Sequence, residues 1–146
     1  MSLNLVFPNL AGEGYTETRP ATRQYNCVAW AAGRTDAWWW PDAMAVHYWP
    51  DNMPREETLE AFVLAFATLG YVAAGDALFE AGFEKVALYA RSGKPTHVAR
   101  QQTDGTWTSK LGEWLDITHT LRGLEGPVYG QVSALLKRTL SPPASP

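Results

Sequence analysis

The chain carries one cysteine and three histidines, and the setting of the cysteine raises the first chemical question. Cys27 stands in QYNCVAWAAG, residues 24–33, directly after an asparagine and at the head of a short apolar run closed by Gly33. Asparagine is a strong N-cap and glycine a helix stop, so the spacing predicts a short helix from Cys27 to Ala32 with Asn26 as its cap. A thiol at the first helical position meets unpaired N–H groups and the positive end of the helix dipole. Both favour the thiolate, which is the nucleophilic form. The plainer role is packing, because free cysteines are among the most buried residues. To act as a nucleophile, a lone cysteine needs an imidazole base.

His47 lies in a Trp- and Pro-rich stretch and reads as a loop-packing residue. His97, in THVARQQ (residues 96–102), falls near the start of a predicted strand, and Asp104-Gly105 is a hairpin signal joining it to a second strand over 106–111. With a two-residue turn His97 faces Gly112; with a one-residue bulge Ser109, Leu111 and Glu113 share its face. Glu113 is the first choice to orient the imidazole, with Asp116 and Ser109 as alternatives. His119 could act from further out, although a hydrogen-bonded histidine in a turn is commoner. A helix-terminal thiol beside an imidazole should titrate below about 8.5, and His97 above about 6.5. Gln24, the Asn26 side chain and the Cys27 N–H are the available donors to an oxyanion. Trp38, Trp39 and Trp40, close behind the nucleophile helix, read as a wall or lid that grips substrate.

These residues need elements to position them. The chain of 146 residues, 46% hydrophobic and 18% charged, has the composition of a single soluble globular domain, expected over residues 1–140 with a disordered tail at 141–146. Residues 1–23 read as an irregular lead-in. Residues 34–53 read as a long structured loop holding the tryptophans. Pro54 opens a predicted amphipathic helix whose apolar stripe is Leu59, Phe62, Val63, Phe66 and Leu69, with Gly70 as its stop. Strands are expected at 83–90, 96–102 and 106–111; residues 128–136, apolar at alternate positions, fit a final strand or a helix, with the alternation favouring a strand. Helices first and an antiparallel meander afterwards make the fold class α+β.

Several functions are excluded by what is missing. A net charge of −3 with scattered basic residues argues against nucleic acid as a partner. Cys27 and the three histidines include no close pair, so a metal is not expected, and no glycine-rich phosphate loop implies a nucleotide cofactor. No signal peptide or membrane span is recognisable, which makes a cytoplasmic location the default and leaves export by a signal-independent route open.

A helix-borne cysteine, then a histidine on a strand, then a polar residue on the next strand is an order that resembles the papain-like superfamily of peptidases, amidases, transglutaminases and acetyltransferases. The chain also looks like a group of uncharacterised bacterial proteins through NCVAWAAG, WWWP, GFEKVALYA, PTHVARQ, TWTSKLG and DITHTLRGLEG. The first resemblance implies a papain-like fold with the nucleophile helix and the second helix packed on the sheet. It also implies a catalytic Cys27–His97 pair with Glu113, and thiol-dependent hydrolysis of a peptide or amide bond without a cofactor. The sequence departs from papain in having no glutamine six residues before the nucleophile, where Ala21 stands. The rival readings are a non-catalytic peptide- or glycan-binding module and a deamidase or transglutaminase-type toxin effector.

Overall fold

The computed structural model describes residues 3–140. The tail expected at 141–146 lies outside the described residues. Two single-turn helices, α1 (Leu3–Val6) and α2 (Leu10–Glu13), lead into β1 (Tyr15–Arg19). Then come α3 (Cys27–Ala31), α4 (Leu59–Ala67), β2 (Val72–Ala73), β3 (Phe83–Arg91), β4 (Lys94–Gln101), β5 (Trp107–Lys110), β6 (Asp116–His119), a 3-10 turn (Arg122–Leu124) and β7 (Gln131–Thr139). The strands form one antiparallel sheet in the order β1-β6-β5-β4-β3-β7-β2, and the class is α+β as expected.

Alternation along the strands gives the sheet two apolar faces. Val86, Leu88, Val98 and Leu136 pack beneath α3, α4 and the tryptophan loop, in a cluster that includes Cys27, Phe62 and Phe66. Ala87, Tyr89, Ala99, Trp107 and Ile117 face the other way, onto Leu3, Phe7, Leu10 and Leu124. The lead-in is therefore not irregular. Its apolar residues cover a sheet face, and β1 gains its structure by pairing with β6, a long-range partner that local sequence does not reveal.

Three boundaries differ from expectation for identifiable reasons. The second helix starts at Leu59, capped by the Thr58 hydroxyl accepting from the Ala61 N–H at 3.1 Å. Residues 54 and 55 belong to the loop instead: the Pro54 carbonyl accepts from Trp49 Nε1, and Arg55 donates to the carbonyls of Asp42 and His47. The last strand is Gln131–Thr139, displaced toward the C-terminus from 128–136. The hairpin after β4 turns through three residues, with Gly105 at φ 90°, so Gln101 pairs with Trp107. This longer turn moves the register by one and puts Ser109 on the His97 face.

Tyr89 is flanked by irregularities on both sides. Thr96 is an extra residue between the Tyr89–His97 and Ala90–Pro95 pairs, and Ser133 an extra residue between Val132 and Ala134. Bulges of this kind re-aim neighbouring side chains.

Candidate active site

Asn26 does more than cap α3. Its Oδ1 accepts from the N–H groups of Ala29 (3.1 Å) and Trp39 (3.0 Å), and its Nδ2 donates to the Trp39 carbonyl at 2.7 Å. One buried side chain thus ties the tryptophan segment to the start of α3. Beside it, Cys27 borders a cavity of about 340 Å³ walled by Trp38, Trp40, His47, Thr96 and Tyr129. Burial pushes the Cys27 thiol up to about 11; the N–H groups of Val98, Val28 and Cys27 and the Lys110 ammonium act the other way without offsetting it. The expected depression is overturned because α3 is only five residues long and Cys27 is almost fully enclosed.

His97 is fully buried and turns to the opposite face of β4 from Val98. Its ring stacks on Tyr129 at 4.1 Å between centroids, and Tyr89 meets it edge-on at 5.4 Å. His97 Nε2 lies 2.8 Å from Ser109 Oγ, which lies 2.7 Å from His119 Nε2. His119 Nδ1 lies 2.7 Å from the Thr120 carbonyl oxygen. His97 Nδ1 has no hydrogen-bond partner, so thiol and imidazole are not bonded to each other here.

The far end of this chain decides where the protons are. A carbonyl only accepts, so His119 Nδ1 carries the hydrogen and donates to Thr120. Burial holds His119 down to about 4, so the ring is neutral and its Nε2 is a bare acceptor. The Ser109 hydroxyl therefore donates to His119 and accepts from His97 Nε2–H. His97, held well below its usual range first by burial and then by His119, is neutral as well. Its Nδ1 is left as an unprotonated base. A backbone carbonyl thus sets the His97 tautomer through three hydrogen bonds, without a carboxylate.

The other sequence candidates fall in different places. Glu113 does not orient His97: its exposed side chain pairs with Arg23 at 3.3 Å. The chain turns away at Gly112, φ 61°, and the register set by the three-residue hairpin gives the position to Ser109. Asp116 is buried on the other face, accepting from the Tyr25 hydroxyl at 2.8 Å, and burial raises its carboxyl. Lys110 lies near it, its Nζ donating to the carbonyls of Thr22 and Gly112. Gln24 is exposed, and the Asn26 amide is engaged with the Trp39 backbone. Trp38 and Trp40 line the Cys27 cavity, whereas Trp39 is buried against Tyr48. His119 and Tyr129 are the contributors that sequence reading undervalued. The Thr-His-Thr spacing in DITHT, with its histidine one residue from a turn, was the available signal for the first; nothing local marks the second.

Two buried neutral histidines make stability sensitive to acid. Their folded pKa values are depressed, so their contribution is present above about 6.5 and is lost as pH falls through the folded values. For His119 the window runs from 6.5 to about 4, which at about 1.4 kcal/mol per pH unit corresponds to about 3 kcal/mol. Urea denaturation across this range is expected to show a steeper loss of stability for the native protein than for His119→Gln. Parallel profiles would show that His119 does not titrate as its burial requires.

Among the described residues no helix is long and apolar enough to cross a membrane, and no cluster of acidic, histidine or cysteine side chains could hold a metal. Comparison with curated proteins and with solved structures finds no match. A family model does match, over residues 16–137, a span that includes Cys27, His97, Ser109, His119 and Tyr129. The chain that builds this cysteine cavity and histidine chain therefore belongs to the family described as a domain of unknown function, DUF7689.

Proposed function

We propose that this protein is a papain-like thiol acyl-transfer enzyme, most simply a hydrolase of amide or peptide bonds. The observation that carries the reading is the bare, partnerless Nδ1 of His97, held in its basic tautomer on the strand whose Val98 N–H points at the Cys27 sulfur. Buried polar atoms without partners are uncommon and costly, and they concentrate where chemistry needs them.

Both members of the pair rest neutral, so the proton moves during attack and not before it. Cys27 Sγ bonds to the substrate carbonyl carbon as His97 Nδ1 takes the thiol proton. The tetrahedral oxyanion collapses, the C–N bond breaks, and the His97 imidazolium returns the proton to the leaving amine. Water, deprotonated by His97, then attacks the thioester carbonyl, the C–S bond breaks, and the His97 imidazolium returns the proton to the Cys27 sulfur, giving the acid and the free thiol. The Ser109–His119 chain keeps Nε2 protonated and Nδ1 available throughout. For this to occur the thiol and Nδ1 must close on each other at the cavity end of β4. The Tyr129 ring, which stacks on His97 and also walls the Cys27 cavity, is the group that must accommodate that approach. Deamidation and transglutamination use the same steps with ammonia leaving and, in the second case, an amine as acceptor.

A second reading has one observation in its favour. The enclosure and high pKa of Cys27 suit a packing residue, and the aromatic cavity would then be a non-catalytic peptide or glycan pocket. A fluoromethyl ketone carrying a short acyl-peptide arm separates the two. The expected result is a single adduct on Cys27 of the folded protein by mass spectrometry, absent in folded His97→Gln. Labelling only after unfolding would support the binding module.

A further inference from the structure

A second cavity, of about 480 Å³, lies at the other end of α3 and shares no lining residue with the Cys27 cavity. Its wall collects hydrogen-bond donors with little to donate to. Among the described residues, neither the buried indole Nε1–H of Trp30 nor the buried Thr108 hydroxyl has a hydrogen-bond partner. Arg100, directly opposite Thr108 in the sheet, has its guanidinium carbon 5.5 Å from the centroid of the Trp30 ring. Its one hydrogen bond is a long one, 3.4 Å to the Trp30 carbonyl, and among the described residues it has no ion-pair partner within 4 Å. Arg19, outside the cavity lining, places a second guanidinium 5.0 Å from the centroid of the same indole. Two carboxylates also line the cavity: Glu84 accepts through Oε1 from Arg138 at 2.8 Å and from the Tyr71 hydroxyl, and Asp104 accepts through Oδ1 from the Thr106 N–H and hydroxyl. Phe83 and Leu140 supply apolar wall.

The guanidinium N–H groups that the Trp30 carbonyl leaves free, an indole N–H and a hydroxyl around one cavity call for an acceptor. A planar group with two acceptor oxygens matches the guanidinium fork better than a single carbonyl, and the bonds it makes are charge-assisted. The apolar wall takes the rest of the molecule. From these observations we propose that the cavity between Trp30, Arg100 and Thr108 is a binding site for a carboxylate carried on an apolar arm. The site is independent of the acyl-transfer reading, since none of its residues takes part in that chemistry.

The test is direct, because Trp30 Nε1–H has its own resonance in a 15N–1H correlation spectrum, assigned by its disappearance in Trp30→Phe. Titration with 3-phenylpropionate is expected to move that resonance downfield and saturably, while the uncharged 3-phenylpropionamide moves it little. Arg100→Gln is expected to weaken the carboxylate at least tenfold and to leave the amide unchanged. Equal responses to acid and amide in the native protein would overturn the proposal, and that comparison needs no variant to fold. A stronger response to inorganic phosphate than to the carboxylate would overturn the assigned ligand class.

Discussion

Replacing His97 with glutamine is expected to lower kcat/KM of the proposed acyl transfer by about 10²- to 10⁴-fold, the range in which a positioned general base contributes. Glutamine keeps a polar side chain in the site and can still donate to Ser109, but it has no basic nitrogen to place near the thiol. Alanine is the poorer choice. His97 is fully buried between Tyr129 and Tyr89, so truncation leaves a void and strips Ser109 of a donor. Combining His97→Gln with Cys27→Ala should cost no more than the worse single change, because the two act as a unit. Additive losses would show that they work separately. A His97→Gln protein with native kcat/KM would remove the histidine from the chemistry altogether.

The resting state of the thiol gives the second large effect. With Cys27 pushed up to about 11 by burial, the thiolate at neutral pH is about 300-fold scarcer than for a thiol titrating near 8.5. Iodoacetamide is therefore expected to alkylate the folded protein at least about 300-fold more slowly than the urea-unfolded chain at neutral pH. The folded rate should rise about tenfold per pH unit toward a midpoint near 11. A midpoint at or below about 8.5 would mean that a thiolate–imidazolium pair exists at rest. The sign of the linked stability follows: the raised folded value contributes below about 8.5 and is lost as pH climbs through about 11, about 3 kcal/mol in all. Stability is thus limited by the two histidines on the acid side and by this cysteine on the alkaline side.

Local signals in the sequence located the elements that carry the site, and long-range ones did not. Asn26 and Gly33 delimit α3 correctly because capping depends on immediate neighbours. The Asp104-Gly105 pair marks the hairpin, but a two-residue and a three-residue turn use the same residues, and that single ambiguity decides between Glu113 and Ser109 as the partner of His97. His119 was legible as a turn histidine and became a member of the chain only through β6 pairing with β5. Tyr129 was not legible at all, since its stacking on His97 depends on a loop returning over a bulged strand. The depressed thiol pKa failed for a related reason. Helix-end electrostatics can be read from neighbours, whereas burial depends on the tryptophan loop and on two strands that arrive much later in the chain.

The strand order β1-β6-β5-β4-β3-β7-β2 has a consequence for how the molecule is made. Both edges consist of early strands held by late ones: β1 waits for β6, and β2 waits for β7. The nucleophile region is no different, for the Tyr25–Asp116 hydrogen bond spans 91 residues and the Lys110–Thr22 bond 88. On the ribosome, Cys27 emerges long before the strands that enclose it, and during that interval it is an ordinary exposed thiol. Contacts of such separation are slow to form. The completed histidine chain and the stacked tyrosine arrive with the last third of the polypeptide, so a nascent or truncated chain would carry the Cys27 thiol without them.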